Sequence, residues 1–243
     1  MKITILTLFP EMYTGFLTTS IIKKAILKGL VEVEVIDIRP FTTNKHRRVD
    51  DYPFGGGQGL VMAVQPVKDA LASVRTETAH VVLTSASGHR FDQAKARELS
   101  RHEHLILLCG HYEGLDERIT GLCDEELSIG DYVLTGGELP SMVMADAVIR
   151  LAEGVIRPES HLDESYENGL LEYPHYTRPE HLEEGDVPDV LMSGNHEAIR
   201  MFRLKESLRK TWLRRPDLFK DRPLSSEETQ LLIEVLREEA KKH

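Results

Sequence analysis

The feature that most constrains this chain is the alternation of short apolar runs with helical patterns through its first 150 residues. ITILTLF is β-branched and apolar and reads as a buried first strand. SIIKKAILKGL reads as a helix: Ser20 is its expected cap, Ile22, Ala25 and Ile26 share a face, and Gly29 ends it. VEVEVIDI alternates and predicts a strand. A loop rich in charge and glycine follows from 39 to about 60, and then a helix around 67–73. HVVLTS is a strand, Asp92 opens a helix running through Arg101, and HLILLC is another strand. After a helical turn near Leu115, ELSIGDYVL predicts a strand and 138–152 a nearly all-apolar helix. Strands alternating with helices in this way predict an α/β fold on a parallel sheet.

The pattern breaks after Gly154. Residues 156–185 show little periodicity and carry Pro158, Pro174 and Pro179 among many carboxylates, so a long loop or linker is expected. Periodicity then returns. Asn195 is a suitable cap for a helix over 196–213 that Pro216 stops, and Ser225 with Glu228 forms a capping-box pattern before a last helix from Glu227 onward. The expected organisation is an α/β domain over 1–157, a linker over 158–185 and a small helical domain over 186–243. Two cysteines in 243 residues make no disulfide framework, which points to a reducing compartment. The opening apolar stretch is broken by Pro10 and Glu11, unlike a signal peptide, and nothing approaches a membrane span, so the expected location is the cytoplasm.

The net charge of −10 is unevenly spread. Residues 200–222 hold nine basic residues against three acids, a local +6 that leaves −16 for the rest. A basic surface on an acidic protein fits a polyanion docked in one place; a solvated helix face is the plainer alternative. Glycines gather at the ends of the expected strands, in FGGGQG, SASG, CGHYEG and SIGDYVLTGGE. Ligands of open α/β sheets bind beyond the carboxyl ends of strands, and glycine there lets the backbone come close. One such loop is an ordinary turn; three after successive strands point to a site. There is no G-x-G-x-x-G after the first strand and no G-x-x-x-x-G-K-[ST], which argues against a nicotinamide fold and a P-loop. Cysteine and histidine spacing gives no metal site. In MVMADAVIRLA, Asp146 and Arg150 stand four apart, either as an ion pair or as an arginine held toward developing negative charge. On composition alone, Asp163 and Glu164 read as surface acids.

LTLFPEM, NKHRRVDDYPFGGGQG, CGHYEGLDERI, SIGDYVLTGGELP, GLLEYPHYTRP, LMSGNH and RKTWLRRPDL occur in this order along nearly the whole chain. In these strings the chain resembles the bacterial tRNA (guanine-N1)-methyltransferase family of the SPOUT class, commonly called TrmD. The resemblance implies a sheet tied in a deep trefoil knot, with S-adenosylmethionine bound in the knot. It implies a homodimer in which the linker of one subunit meets the knot of the other. It also implies a use of magnesium. Carried over by position, the cofactor residues are Ser85, Gly88, Gly110, Glu113, Ile129, Gly130, Asp131, Tyr132, Val133, Leu134, Gly136 and Gly137. Ser160, Arg200, Arg203, Arg209, Lys210, Arg214 and Arg215 would meet tRNA.

The implied reaction is methylation of N1 of the guanine just 3′ of the anticodon. That nitrogen carries a proton at neutral pH, so a base must remove it, and charge then builds toward O6. Arg150 matches the family's arginine for that charge. The family's base is an Asp; aligned on Ser160 and Ser165, this chain has Glu164 there with Asp163 beside it, and both are candidates. The family's Ser-Pro-Gln-Gly loop reads Ser85-Ala86-Ser87-Gly88 here. Two rival functions are a SPOUT enzyme with another RNA target and a non-catalytic RNA-binding protein of the same fold. The linker and the basic helix argue against the first, and only the Glu at the base position supports the second.

Overall fold

The computed structural model describes residues 1–156, 165–220 and 222–241. They fall into two compact units, 1–156 and 157 onward.

The first unit is built on β1 (Lys2–Thr7), β2 (Glu32–Asp37), β5 (Ala79–Arg90), β6 (His104–Cys109) and β7 (Glu125–Ser128), a sheet of order β2-β1-β6-β5-β7 in which every pairing is parallel. A two-residue ladder, β3 (Asp50–Asp51) with β4 (Val61–Met62), stands apart from it. The helices are α1 (Thr14–Thr18), α2 (Ser20–Leu27), α3 (Val64–Val74), α4 (Gln93–Leu99) and α5 (Glu138–Ile149).

Both faces of the sheet are covered, and the two-residue period of a strand decides which side chain goes where. Ile3, Ile5, Leu105 and Leu107 enter one apolar cluster with Ile22, Leu99 and Val148 from α2, α4 and α5. Leu6, Ile106, Leu108 and Leu83 enter the other with Val67 and Leu71 of α3. This is why HLILLC is apolar without alternation: all six residues of β6 are buried. Burying each Leu or Ile side chain there contributes about 2 kcal/mol.

Four local expectations are corrected. Ser20 does not cap α2; it is the first helical residue, with φ +54°, and Thr19 stands at the cap position with its hydroxyl donating to the Gly15 carbonyl, 2.7 Å. The strand expected over ELSIGDYVL stops at Ser128, because the Ser128 hydroxyl bonds both the N–H and the carbonyl of Gly130 and turns the chain out of the sheet. The strand expected to end at SASG instead resumes: β5 bulges between Thr84 and His89, then re-pairs with β7 through His89–Leu127 and Arg90–Ser128. The helix opened by Asp92 starts as expected, with Asp92 accepting from the Lys95 N–H, but ends at Leu99.

The second unit holds α6 (Asp189–Met192), α7 (His196–Arg214) and α8 (Ser226–Ala240). Asn195 caps α7 by accepting from the Ala198 N–H, 3.1 Å, and Ser225 and Glu228 form a complete capping box on α8. Pro216 opens a 3-10 turn just past α7. Residues 165–188 contain no helix or strand. They lie along α7 through Leu171 N–H to the Thr211 hydroxyl, 2.8 Å, and the Lys210 ammonium to the Glu172 carbonyl, 3.0 Å. The apolar centre is small: Leu170, Leu208 and Leu231, flanked by partly buried side chains such as Leu204 and Phe219.

Candidate active site

The carboxyl ends of β5, β6 and β7, three neighbouring strands, open into a cleft of about 390 Å³. Its walls are the bulge after Thr84, the segment from Gly110 to Leu115 after β6, and the segment from Ile129 to Gly137 that runs from β7 into α5. Backbone bonds lock these segments together. Gly137 N–H donates to the Gly110 carbonyl at 2.7 Å, and His111 and Gly136 form an antiparallel bridge. The second wall is tied to the β3–β4 region by Glu113 N–H to the Leu60 carbonyl, 3.1 Å, and Met62 N–H to the Gly114 carbonyl, 3.0 Å.

Glycine is required where backbones touch. A Cβ on Gly137 would run into the Thr84 hydroxyl and lie 2.8 Å from Gly110 N and 2.9 Å from Cys109 Cα. A Cβ on Gly88 would lie 2.5 Å from Leu127 N and 2.6 Å from Glu126 C, so Gly88 lets β5 close against β7. Under the cleft sits a buried polar layer. The Tyr13 hydroxyl bonds the Ser141 hydroxyl at 2.7 Å and the Cys109 thiol at 3.2 Å, and Thr7 donates to Glu138 Oε1 at 2.8 Å. Burial pushes the Cys109 thiol up to about 12 and raises Tyr13 as well, so both are neutral hydrogen-bonding groups and neither is a nucleophile at neutral pH.

Of the residues carried over for the cofactor, Ser85, Gly110, Glu113, Ile129, Gly130, Tyr132, Val133, Leu134, Gly136 and Gly137 line this cleft. Gly88 and Asp131 do not: Gly88 serves the strand pairing and Asp131 is exposed. His111, Tyr112, Thr84 and Glu126 also line it and were not singled out beforehand. The first two stand inside CGHYEG, where the glycines are the visible signal.

Arg150 follows the last residue of α5 and is half-buried; its N–H donates to the Asp146 carbonyl at 3.1 Å. Asp146 is exposed. Ser160, Asp163 and Glu164 lie outside the described residues. Among the described residues no group of three or more His, Cys, Asp or Glu is placed to hold a metal ion, and no helix is long and apolar enough to cross a membrane.

The basic stretch on α7 is largely matched within its own unit. Arg200 pairs with Glu197 at 2.7 Å and Glu227 at 2.6 Å. Lys205 pairs with Glu234 and Glu238, and Arg209 with Glu206, Glu238 and Glu239. Hydrogen bonds from Lys205 and Arg209 hold the Glu238 carboxyl down at about 2. Arg215 pairs with Asp217 at 2.6 Å. Arg203 lies over the Tyr173 ring, 4.8 Å from its centroid, and Arg214 is exposed.

The chain matches, over residues 1–221, the family described as "tRNA (Guanine-1)-methyltransferase TrmD". It is 53% identical to a protein named tRNA (guanine-N(1)-)-methyltransferase from Dictyoglomus turgidum over 98% of each chain. A protein of the same name from Moorella thermoacetica is 52% identical over 100% of this chain and 99% of its own. One from Bacillus cereus is 54% identical over 98% of this chain and 100% of its own. With a family match over residues 1–221 and relatives 52–54% identical over 98% or more of the chain, this chain belongs to the tRNA (guanine-1)-methyltransferase TrmD family.

Proposed function

We propose that this protein is an S-adenosylmethionine-dependent tRNA methyltransferase that forms N1-methylguanosine at the guanine 3′-adjacent to the anticodon. The observation that carries the reading is the cleft walled by backbone from three interlocked segments, in a chain related over its whole length to proteins of that name. Its volume of about 390 Å³ suits one nucleoside-sized ligand, and Gly110 and Gly137 are among the residues that line it. When bound there, S-adenosylmethionine supplies a methyl group on an electron-poor sulfonium. The walls from Gly110 to Leu115 and from Ile129 to Gly137 would hold and orient it, and exclude water.

The remaining chemistry belongs to side chains of the chain. Glu164 or Asp163 takes the N1 proton of guanine, and the Arg150 guanidinium receives the charge that develops toward O6. The first unit serves the donor, and the linker and helical unit position the anticodon stem by phosphate contacts while the target base is turned out of its stack. The trefoil knot and the homodimer belong to the same reading. The interlocked segments beyond β6 and β7 support the knot, and Leu139 and Val143, 48% and 49% exposed on neighbouring turns of α5 beside the cleft, support a second subunit.

The test is incubation with methyl-labelled S-adenosylmethionine and tRNA transcripts that carry or lack a guanine 3′ of the anticodon. Label is expected at N1 of that guanine only. Binding without transfer would leave a non-catalytic RNA-binding protein, and label in ribosomal RNA alone would point to another target.

A further inference from the structure

The ionic character of the cleft is uneven. Three of its lining residues are acids, Glu113, Glu117 and Glu126, and one is basic, His111. His111 is also the most tightly built of the four. Its ring packs at 4.7 Å against Phe9 and edge-on at 5.2 Å against Tyr112. Its backbone bridges to Gly136, and a Cβ on Gly136 would strike both the imidazole Nδ1 and the Glu138 carboxylate. Nδ1 is buried without a hydrogen bond among the described residues, and the acceptor it faces is Glu138 Oε2 at 3.5 Å. Glu138 itself is 2% exposed, and its other oxygen is held by Thr7.

A carboxylate this buried, with one neutral hydrogen-bond donor, gains from a cation at its free oxygen. An imidazolium supplies that cation through Nδ1–H, and its second N–H then serves a ligand of the cleft that His111 lines. We infer that His111, set in place by the buried Glu138, is the cleft's receptor for the carboxylate of the methyl donor's amino-acid end. Glu113, Glu117 and Glu126 are then left for its ammonium and sulfonium charges. This rests on the S-adenosylmethionine reading and gives that cleft a polarity: the zwitterionic end of the donor lies toward α5, where Glu138 begins the helix. Glu138 acts through His111 and is a positioning residue.

Calorimetric titration of the full chain with two probes tests this without turnover. S-adenosylhomocysteine has the amino-acid carboxylate, and 5′-methylthioadenosine lacks the whole amino-acid end. His111→Gln keeps a polar side chain but no cation, and is expected to weaken S-adenosylhomocysteine roughly 10-fold or more, the worth of a charge-assisted hydrogen bond. Methylthioadenosine affinity stays within about 2-fold, as expected for a ligand with no group to contact the cation. Glu138→Gln, which retains a side chain for Thr7 to bond, is expected to narrow the same preference to a smaller degree. Equal weakening of both probes by His111→Gln overturns the inference, because the residue would then only shape the wall. So does a wild-type protein that binds the two probes equally. An unchanged preference in Glu138→Gln removes its positioning role. If the wild type binds neither probe, the methyl-donor reading itself has failed, which is a separate result from a lost preference between two bound probes.

Discussion

At the scale of single residues, close packing sets the most severe constraints. Gly137 has no room for a methyl group, since the Thr84 hydroxyl and the Gly110 backbone occupy the space. Gly137→Ala is expected to cost about 1–3 kcal/mol, as overpacking does, and to weaken donor binding by moving the segment from Gly110 onward. A lowered urea midpoint together with a raised Kd for S-adenosylhomocysteine checks it; unchanged values of both would show that the segments can spread. His104 constrains the protein differently. It is 4% exposed on β6, its ring bonded to the Thr4 hydroxyl at 2.9 Å and the Thr76 hydroxyl at 3.0 Å. Burial, with Lys2 nearby, lowers its pKa below the ordinary imidazole value. The unfolded chain therefore takes up a proton here at higher pH than the folded chain does, and ∂ΔG/∂pH is positive in that window. Stability is fully present above the unfolded imidazole pKa of about 6.5 and is lost as pH falls below it. His104→Gln should flatten this acid slope in urea titrations run between pH 8 and 5, on the order of those limits. An unaltered slope would assign the acid sensitivity to other groups, His102 among them, whose pKa burial also lowers.

At the scale of elements, several strands and helix caps were open to reading from the sequence, and the contacts between elements were not. β1, β2 and β6 announce themselves by β-branched and apolar runs, and Asn195 and the Ser225–Glu228 pair mark helix starts by chemistry that acts within three residues. The bulge that lets β5 resume, and the turn that ends β7 at Ser128, depend on which strand lies alongside and which serine reaches which backbone group. α1, five residues long, has too few turns for a period to show. Around the cleft, the glycine segments stood out in the sequence, but His111 did not, because its contact is with Glu138, 27 positions on. The charge of α7 shows the same limit. Arg209 meets Glu238 and Glu239 some 30 residues away on α8, a match that no local count of charges shows. Arg209→Ala strips a cation from three carboxylates, two of them mostly buried, and is expected to destabilise the helical unit by about 1–3 kcal/mol. Arg203→Ala and Arg214→Ala should leave unfolding nearly unchanged while weakening tRNA binding and reducing its salt slope by about 1 each. Filter binding across a salt series, beside thermal melts, separates the two groups. A salt slope that moves with Arg209 and stays fixed with Arg203 and Arg214 would reverse the assignment.

At the scale of the whole molecule, the proposed reaction needs more than one subunit if the cleft of one serves the linker of the other. The first unit alone offers a reason to pair: Leu139 and Val143 stand exposed on the helix that leads out of the cleft, while Met144, Ala145, Val148 and Ile149 of the same helix are buried in the core. An apolar pair at i and i+4 on an exposed helix face is what an isologous contact about a two-fold axis uses. Val143→Glu would then place two carboxylates across the axis from each other's apolar partners. It is expected to give a monomer by light scattering with the fold retained by circular dichroism. Sharing of the site has its own consequence. A cleft variant, Gly137→Ala, and a linker variant with Glu164 and Asp163 both changed to Ala are each expected to be nearly inactive. Random re-pairing of equal amounts makes half of all dimers mixed, and each mixed dimer keeps one site with an intact cleft and an intact linker. Activity should therefore return to about a quarter of the wild-type level. A mixture that exchanges subunits yet stays as inactive as its components would mean that each chain builds its site alone, and that Leu139 and Val143 are covered for some reason other than catalysis.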